Sequence, residues 1–391
     1  MNPLRVLFVI GSLDGGGSER QMVGLLKRLD RARFAPHLFL VHDGGPLRTE
    51  VPKDVPVEVF WNHRQAPRLN WPGRIHSQQV RALTEVLRRW RIQCVYDRNF
   101  HSTLITAPAC LMNRVPRIST AVSDPERDLV SQETRFVSLK RKRLRTAYQT
   151  ADRVVAVSQG VREALIQDFG VSAERAVTIY SPMDWRRIHL LAQQPPGIDL
   201  KDGRFHVVGA GRLLEAKGWL DLLEATRHLV HSRQRSTVQV HVLGEGPLRG
   251  RLESEIERLQ LADHFHLEGF QANPYTIFRN CQLLVHPSHY EGLPNVLLEA
   301  MACDLPVVAT DCRWGPREIL QDGRFGELVA VGDVDALAAA IEKSLTACES
   351  QPSERQVAIE AARSHVENKF DAESSVRRLE ELMLEITTSK S

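Results

Sequence analysis

Hydrophobic residues in this chain fall mainly in short runs that are separated by longer polar segments. Runs such as Arg5–Ile10 and Cys281–His286 are rich in aliphatic residues, which is typical of strands buried on both faces of a parallel sheet. Several are followed by segments whose apolar residues recur three and four positions apart, and this spacing predicts helices. The alternation of the two patterns predicts an α/β protein with parallel sheets.

The strands fall into two series. The first series is predicted at Arg5–Ile10, Ala35–Val41, Val57–Phe60, Gln93–Tyr96, Arg117–Ala121, Arg153–Val157 and Val177–Tyr180, with helices at Glu19–Leu29, Ser77–Arg91, Glu133–Thr150 and Gly160–Phe169. The second series is predicted at His206–Gly209, Val238–Leu243, His264–Leu267, Cys281–His286 and Pro306–Ala309, and helices dominate from Val334 onward.

The segment around Pro195, Pro196 and Gly197 is the best linker in the sequence. We therefore predict an N-terminal domain over residues 1–190, a linker over 191–203 and a C-terminal domain over 204–370. The last segment, 371–391, contains the amphipathic stretch Ala372–Ile386, which we expect to pack on another domain.

Composition limits the class of protein without identifying its function. The chain is 42% hydrophobic and 25% charged, as in soluble globular proteins. The six cysteines show no CxxC spacing, so we expect reduced thiols and a cytoplasmic location. The apolar run at the amino terminus is too short to span a membrane and is interpreted as a first strand.

Two glutamates, Glu291 and Glu299, stand near the end of the strand Cys281–His286. Gly292 and Pro294 indicate a loop after this strand, and Asn295 is a natural N-cap for a helix that would begin at Val296. This arrangement places Glu291 in the loop and Glu299 about one turn inside the helix. Ligands bind at the carboxyl edge of open α/β sheets, so we predict a ligand site here.

The chemistry of this segment suits a nucleotide sugar. Backbone amides from Leu293 to Val296 would be free helix N-terminal donors for a phosphate, and ionised carboxylates accept hydrogen bonds from sugar hydroxyls. The alternative is that Glu299 only complements the helix dipole while Glu291 is a solvated loop residue. Spacing alone does not separate these two interpretations.

Two further loops carry candidate ligand contacts. Gly15, Gly16 and Gly17 follow the first strand, where glycine permits close approach of the backbone to a ligand, and Arg20 could reach the same anion. Arg212 and Lys217 follow the strand His206–Gly209 and could neutralise a diphosphate. The alternatives are a tight turn for the glycines and exposed surface cations for the three basic residues.

The segment EGLPNVLLEAMACDLPVVATD resembles the Glu-x7-Glu signature of retaining glycosyltransferases of family 4. Gly211–Gly218 (GRLLEAKG) resembles the Gly-Arg-Leu-x-x-x-Lys-Gly element of that family, and Gly15–Arg20 (GGGSER) resembles its amino-terminal glycine loop. The three segments occur in the family's order and span nearly the whole chain. Ser181–Asp184 (SPMD) resembles the family's hinge segment, with serine in place of asparagine.

The resemblance implies a GT-B fold, in which two Rossmann-like domains with parallel sheets face each other across a cleft and a C-terminal helix crosses back to the first domain. It also implies a retaining transfer that uses no metal and no cofactor. The donor would be a UDP- or GDP-linked sugar and the acceptor a glycan or a lipid-linked molecule. Glu291 would hold the transferred sugar and Glu299 the ribose, while Gly292, Leu293, Pro294, Asn295 and Val296 would line the donor site.

Other enzyme motifs are not met. The third glycine of a dinucleotide fingerprint is Leu214, and a Walker loop would need a second glycine at Ala216. His286 and His289 lack a matching metal-ligand partner, so we expect no metal site. A nucleophile elbow is also missing, which disfavours a Ser-His-Asp hydrolase.

One departure from the family lies after the strand Arg117–Ala121. Many members carry a histidine there, whereas this chain reads Val122-Ser123-Asp124-Pro125. Asp124 could accept a hydrogen bond from a substrate hydroxyl in its place, and Arg98 and His101 are alternative residues for the acceptor side. An ordinary exposed loop histidine remains the alternative for His101.

Charge is unevenly distributed along the chain. Residues 1–190 carry 30 Lys and Arg against 18 Asp and Glu, whereas residues 191–391 carry 21 against 30. The densest basic run is Lys140 to Arg145, which predicts either a solvated helix face or attraction to an anionic membrane surface or a phosphorylated acceptor. Nucleic acid is disfavoured because no recognised nucleic-acid-binding module accompanies the charge.

We therefore predict a glycosyltransferase of glycan, glycolipid or polysaccharide biosynthesis, located in the cytoplasm and peripheral to the membrane. A sugar-nucleotide epimerase or hydrolase of the same fold is the enzymatic alternative. A non-catalytic nucleotide-sugar sensor is the alternative from a binding class.

Overall fold

The structure is a computed structural model that describes residues 2–62, 72–132, 135–350 and 352–388. The chain divides into two compact units between Pro182 and Met183, and the segment from Ala372 belongs to the first unit. The linker predicted from the sequence lies later, at 191–203, and the predicted domain boundaries remain predictions.

The first unit contains a parallel sheet of seven strands with helices between them. The strands are β1 (Leu4–Ile10), β2 (Phe34–Leu40), β3 (Val57–Val59), β4 (Cys94–Arg98), β5 (Arg117–Ala121), β6 (Arg153–Ala156) and β7 (Ala176–Thr178), in the order β3-β2-β1-β4-β5-β6-β7. The helices are α1 (Gly17–Arg28), α2 (Arg74–Arg89), α3 (Phe100–Asn113), α4 (Pro125–Gln132), α5 (Val137–Gln149) and α6 (Gln159–Gln167).

The second unit contains a parallel sheet of six strands. The strands are β8 (Phe205–Ala210), β9 (Val238–Leu243), β10 (Phe265–Gly269), β11 (Leu283–His286), β12 (Val307–Thr310) and β13 (Glu327–Val329), in the order β10-β9-β8-β11-β12-β13. The helices are α7 (Trp185–Ala192), α8 (Trp219–Arg227), α9 (Arg249–Arg258), α10 (Tyr275–Asn280), α11 (Asn295–Ala302), α12 (Pro316–Ile319), α13 (Val334–Ser350) and α14 (Pro352–Lys369).

The last helix, α15 (Ala372–Thr388), completes the core of the first unit. Its apolar face, which includes Leu379, Leu382 and Met383, is buried in the same cluster as Phe8 on β1. The buried carboxylate of Glu380 accepts a hydrogen bond from the backbone amide of Asp30 at 2.9 Å. The predicted packing of this helix on the N-terminal domain therefore agrees with the observed core.

The predicted α/β class with two parallel sheets is confirmed, and Arg117–Ala121 and Val238–Leu243 have the predicted bounds. Helix α3 was not predicted, because Pro108 interrupts its pattern and burial against α2 and α5 leaves no clear polar face. Six shorter elements, α4, α7, α9, α10, α12 and β13, were also not predicted.

Two helix starts differ from the predictions. Helix α5 begins at Val137 instead of Glu133, a residue outside the described part of the chain. Helix α11 begins at Asn295 and not at Val296, with Pro294 at the N-cap position and no side-chain cap. The prediction that Asn295 caps this helix is therefore wrong, since a residue inside the first turn points its side chain away from the capping position.

Within the described ranges, every helix is too short or too polar to cross a lipid bilayer. All six cysteines carry free thiols, and five of them are buried.

Candidate active site

The strand order of the second sheet indicates where a ligand site is expected. Chain order runs outward from β8 to β9 and β10 on one side, and from β11 to β12 and β13 on the other. Ligands bind at this reversal point because the loops after the two central strands diverge there and leave a crevice. The loop after β8 contains Arg212 and Lys217, and the loop after β11 contains Glu291.

Gly218 allows these two loops to approach each other. It has a left-handed backbone with φ 65°, and a Cβ atom at this position would lie 2.0 Å from the carbonyl oxygen of Pro287. Next to it, the amide of His289 donates a hydrogen bond to the carbonyl of Ala216 at 2.8 Å. A larger residue at position 218 would force the loops apart, so the close contact requires glycine.

Glu291 is the centre of this contact. Its Oε1 atom accepts hydrogen bonds from Lys217 Nζ at 2.5 Å and from His286 Nε2 at 2.9 Å. The side chains of Glu291 and His286 are 11% and 3% exposed. No hydrogen bond to Glu291 Oε2 is formed by the residues that the structure describes, so this oxygen is available to a ligand.

The electrostatics of the pair keep Glu291 ionised. Burial alone would raise the pKa of Glu291, but the positive charge of Lys217 and the hydrogen bond from His286 outweigh burial and hold the pKa well below its ordinary range. A carboxylate that is ionised and largely buried from solvent is a strong hydrogen-bond acceptor. The site therefore presents a fixed anion beside a fixed cation.

A second layer of contacts holds the two loops. His289 bonds through Nε2 to the carboxylate of Asp221 on α8 at 2.7 Å. The indole of Trp219, which is fully buried, donates a hydrogen bond to the carbonyl of Arg212 at 3.0 Å. The hydroxyl of Thr310 at the end of β12 donates to the carbonyl of Ser288. These bonds position the backbone beneath Lys217 and Glu291.

Glu299 lies on the first turns of α11 and is half-buried. The hydroxyl of Tyr275 on α10 donates to Glu299 Oε1 at 3.4 Å. The loop before α11, with buried Gly292, Leu293 and Pro294, packs against Gly315, where a Cβ atom would lie 2.4 Å from the Pro294 ring. Tyr275 thus positions one oxygen of Glu299, and a role for Glu299 toward a ligand remains a prediction.

Two buried polar atoms near this loop have no protein partner in the described residues. They are Ser288 Oγ, on a residue with no exposed surface, and Asn295 Oδ1 in the first turn of α11. The first turn of α11 has no side-chain cap. The amide of Leu297 donates to the carbonyl of Pro294 at 3.0 Å, whereas the amides of Asn295 and Val296 have no acceptor among the described residues. Unsatisfied buried polar groups are costly, and a polar ligand would relieve that cost.

Arg212 differs from Lys217 in its surroundings. Its side chain is exposed, and in the described part of the chain its guanidinium forms no hydrogen bond or ion pair. It stands in the same loop as Lys217 but does not contact Glu291. The structure therefore brings together Lys217 and Glu291, and leaves Arg212 as a free cation at the edge of the site.

The glycine loop of the first unit follows β1 at the reversal point between β1 and β4. Helix α1 begins at Gly17, and Gly16 at its N-cap position supplies no side-chain cap. The guanidinium of Arg20 donates through Nε to the carbonyl of Gly15 at 3.2 Å. Arg20 thus stabilises its own loop, a contact that the sequence pattern does not predict.

Arg98 ends β4 at this edge and is only 6% exposed. It bonds through Nη1 to the hydroxyl of Tyr96 at 3.3 Å, while its Nε is buried without a partner. No carboxylate of the described residues pairs with it. Buried charges are normally paired, so Arg98 is suited to an anionic or hydroxylated ligand.

The two other acceptor-side candidates have different environments. His101 is exposed on the first turn of α3, with its ring centroid 3.9 Å from that of Phe100. Asp124 is fully buried, and its Oδ1 accepts the amides of Glu126 at 3.1 Å and Arg127 at 3.3 Å. Asp124 therefore caps α4, and a role for it toward a substrate remains a prediction.

Sequence reasoning considered His286 only as a metal ligand and overlooked Tyr275. In the described residues, no cluster of three or more His, Cys, Asp or Glu side chains could hold a metal ion. The position of His286 as the last residue of β11, five residues before Glu291, is the signal that could have indicated its role. The contact of Tyr275 with Glu299 could not be predicted from the sequence, because only the tertiary structure brings α10 beside α11.

Two family models match the chain in sequence. The model described as "Glycosyltransferase Family 4" matches residues 15–187, and the model described as "Glycosyl transferases group 1" matches residues 193–383. Together they include the glycine loop, both cations and both glutamates of the candidate site.

Curated relatives include an N-acetylgalactosamine-N,N'-diacetylbacillosaminyl-diphospho-undecaprenol 4-alpha-N-acetylgalactosaminyltransferase of Campylobacter jejuni. It is 29% identical over 332 residues, which cover 84% of this chain and 86% of the relative. A lipopolysaccharide 1,6-galactosyltransferase of Salmonella typhimurium is 28% identical over 202 residues, which cover 51% of this chain and 54% of that relative.

Solved structures show the same fold. The Anabaena protein Alr3699/HepE in complex with UDP-glucose superimposes with a TM-score of 0.79 at 23% identity, and the match covers 97% of this chain and 98% of that chain. The family models, the curated relatives and the fold agree with one another over nearly the whole length. The chain therefore belongs to the glycosyltransferases with the GT-B fold.

Proposed function

We propose that this glycosyltransferase moves a sugar from a nucleoside-diphosphate donor to an acceptor hydroxyl with retention of anomeric configuration and without a metal. The observation that carries the proposal is the arrangement around Glu291. One carboxylate oxygen is held by Lys217 and His286, and the other is free to accept a hydrogen bond from a sugar hydroxyl.

The donor phosphates would bind next to this carboxylate. An ammonium has three hydrogens, and Lys217 uses one of them on Glu291, so two remain for phosphate oxygens. Arg212 and the open amides at the start of α11 add positive potential. Charge that develops on the departing diphosphate would be stabilised by these preorganised groups, and this effect commonly dominates catalysis.

The chemical step would proceed on one face of the sugar. The bond from the anomeric carbon to the diphosphate oxygen breaks, and a bond to the acceptor oxygen forms on the same side. The acceptor proton passes to the leaving phosphate oxygen, so the products are the glycoside and a nucleoside diphosphate. In this scheme Glu291 positions the sugar, while Lys217 and Arg212 stabilise the leaving group.

The nucleoside would bind at Glu299. An ionised carboxylate accepts hydrogen bonds from vicinal ribose hydroxyls, and Tyr275 keeps Glu299 Oε1 in position. We favour a UDP-linked donor over a GDP-linked one, because the structures of the Anabaena neighbour contain UDP and UDP-glucose. The Gly15–Gly17 loop and Arg20 would supply additional donor contacts.

The acceptor would be a glycan carried on a lipid diphosphate, at the cytoplasmic face of a membrane. The name of the Campylobacter relative specifies a diphospho-undecaprenol acceptor, and the first half of this chain is rich in basic residues. Arg98, His101 and Asp124 are the acceptor-side residues we propose in the first unit, and Lys140 to Arg145 would attract the anionic surface.

Mass spectrometry of product mixtures tests the proposal. The protein is incubated with UDP- and GDP-sugars, with and without lipid-diphosphate glycans, and with or without EDTA. Transfer predicts a glycosylated acceptor with unchanged yield in EDTA, and NMR of the product shows whether the anomeric configuration is retained. An isomerised donor would indicate an epimerase instead, donor cleavage without an acceptor would indicate a hydrolase, and binding without turnover would indicate a sensor.

A further inference from the structure

Two buried histidines face each other on neighbouring strands of the second sheet. His206 on β8 is 1% exposed and His241 on β9 is 6% exposed. The residues on either side of each histidine belong to the apolar core on one face of the sheet, so strand alternation places both imidazole rings on the opposite face. His206 Nδ1 lies 3.0 Å from His241 Nε2, which is hydrogen-bond distance.

The outer nitrogen of each ring faces a carboxylate. His206 Nε2 lies 2.9 Å from Asp202 Oδ1, and His241 Nδ1 lies 2.7 Å from Glu268 Oε1 on β10. The amide of Arg204 and then the bond to His206 lower the pKa of Asp202. The bond to His241 lowers the pKa of Glu268. Both carboxylates are therefore ionised at neutral pH and can only accept, so each outer ring nitrogen must carry a hydrogen.

Two neutral histidines would supply one proton too few for this chain of four groups. The three contacts, which join Asp202 to His206, His206 to His241 and His241 to Glu268, each need one hydrogen. A neutral imidazole carries a single N–H, so two neutral rings would bond to the carboxylates and direct two lone pairs at each other. A third proton between the rings satisfies all three contacts.

The other imidazoles on this face of the sheet have separate partners. His266 on β10 stacks on His241, with ring centroids 5.2 Å apart. Burial and then the positive charge of His241 lower the pKa of His266, so this third ring is neutral, and its Nε2 donates to Gln239 Oε1 at 2.9 Å. His264, just before β10, bonds through Nδ1 to a backbone carbonyl on β9 at 3.0 Å.

The charged groups around the pair favour one positive charge between the rings. Arg204 is paired with Asp202 at 3.4 Å, and Arg355 on α14 bonds to a backbone carbonyl next to β11 at 2.8 Å. Burial and the negative charge of Glu268 raise the pKa of Cys281, so its thiol is neutral. The charge of the ring pair thus lies between two carboxylates, and a buried charge requires such partners.

We infer that His206 and His241 together bind one proton, which they keep up to at least pH 8, and that this buried proton makes the stability of the second unit sensitive to pH. Its release would leave two facing lone pairs, or a turned ring whose carboxylate loses its donor, and an unmade buried hydrogen bond is costly. The inference goes beyond the proposed sugar transfer, because it concerns the fold of the unit that carries Lys217 and Glu291.

The pH dependence follows from the number of protons bound in each state. Two unfolded histidines bind about two protons well below pH 6.5 and about none well above it, whereas the native pair binds one. The pair therefore stabilises the second unit most near pH 6.5, and its contribution declines as the pH rises above that value.

Nitrogen-15 NMR of the full chain with labelled histidines, recorded in EDTA so that no metal ion bridges the rings, tests the inference. Ring-nitrogen shifts distinguish imidazolium from neutral imidazole, and His206→Gln and His241→Gln assign the signals. We expect the pair to keep one imidazolium proton, with unchanged shifts, from pH 7 to pH 8. An exposed imidazole is mostly neutral over this range.

Urea unfolding at pH 7 and pH 8 gives a second readout. Between these pH values the unfolding equilibrium constant of the wild type should rise about 10-fold relative to that of His241→Gln, because the native pair binds one proton more than the unfolded chain. In His241→Gln the new amide can donate to His206 Nδ1, so no extra proton is needed. His231→Gln is the control and should follow the wild type, since exposed His231 bonds only to a backbone carbonyl of the same unit.

Two results would overturn the inference. One is a spectrum in which both rings are neutral at pH 7. The other is the same pH dependence of unfolding in the wild type and in His241→Gln. UDP titration at pH 7 checks the fold of the variants, because neither histidine belongs to the candidate active site. If one variant failed to fold, the other variant and the wild-type spectra would still decide.

Discussion

Lys217 Nζ lies 2.5 Å from Glu291 Oε1, although 74 residues separate them in the chain. The contact exists because β8 and β11 are neighbours at the reversal point of the second sheet, so their following loops start side by side. His286 donates to the same oxygen, and the second oxygen of Glu291 stays open. The pair thus presents an acceptor for a sugar next to a donor for a phosphate.

Removal of either cation should slow sugar transfer. We expect Lys217→Ala and Arg212→Ala each to lower kcat by about 100-fold or more, because preorganised charges that stabilise a leaving group contribute on this scale. Steady-state kinetics with saturating donor measure the effect. Arg251→Ala is the control, since Arg251 forms an exposed ion pair with Glu215 in the same unit and should leave kcat unchanged. Near-normal turnover in both site variants would remove these residues from catalysis.

Glu299→Gln should weaken binding of the free nucleoside diphosphate. The ribose would lose an ionised acceptor, and hydrogen bonds to charged groups contribute about 1.5–3 kcal/mol. Titration calorimetry with UDP measures the change. Tyr275→Phe should have a smaller effect, because it removes only the bond that positions Glu299, and Glu253→Gln on the exposed face of α9 should have none. If UDP bound equally well to Glu299→Gln, we would assign Glu299 to stabilisation of α11.

The depressed pKa of Glu291 leads to a pH-dependent contribution to stability. A carboxyl group whose pKa is lower in the folded state stabilises the protein above its unfolded-state pKa, which is about 4.3 for glutamate. That contribution decreases as the pH falls below about 4.3 toward the folded-state pKa. The free energy of unfolding of the wild type should therefore exceed that of Glu291→Gln by a constant amount from pH 7 to pH 5.

Below pH 4.3 the two curves should converge. Urea unfolding monitored by tryptophan fluorescence at several pH values measures both curves. A difference that persists unchanged down to pH 3 would mean that Glu291 stabilises the fold by packing and not by its charge. Lys217→Gln should shift the convergence to higher pH, because the main opposing positive charge is lost.

The sequence predicted the parts of the fold and the site that depend on local pattern. Buried strands such as Val238–Leu243 are continuous aliphatic runs, so their bounds are clear. Helix α3 was missed because burial on several sides removes the periodicity that identifies amphipathic helices. Hydrophobic periodicity identifies only helices and strands that have one buried face and one solvent-exposed face.

Among the site residues, too, the contacts that follow from local pattern could be predicted and those that depend on tertiary packing could not. Lys217 and Glu291 lie in loops after strands, and a sheet brings such loops together, so their proximity could be predicted. The prediction that Asn295 caps α11 was wrong, because Pro294 occupies the N-cap position and the helix begins one residue earlier than predicted. The bond of Arg20 to Gly15 and the bond of Tyr275 to Glu299 depend on side-chain conformations and on packing between helices, which no spacing rule specifies.

The basic run on α5 should draw the protein to an anionic membrane. Each lysine or arginine near such a surface contributes about 1 kcal/mol, so replacing Lys140, Arg141, Lys142 and Arg143 with glutamine should sharply reduce sedimentation with anionic vesicles at low salt. Neutral vesicles and UDP titration are the controls, and UDP binding should be unchanged. The attachment should weaken near 0.1 M salt, where the Debye length is about 10 Å. If the wild type and the quadruple variant sediment equally, these four residues form only a solvated helix face, and the proposed location at a membrane loses its electrostatic basis.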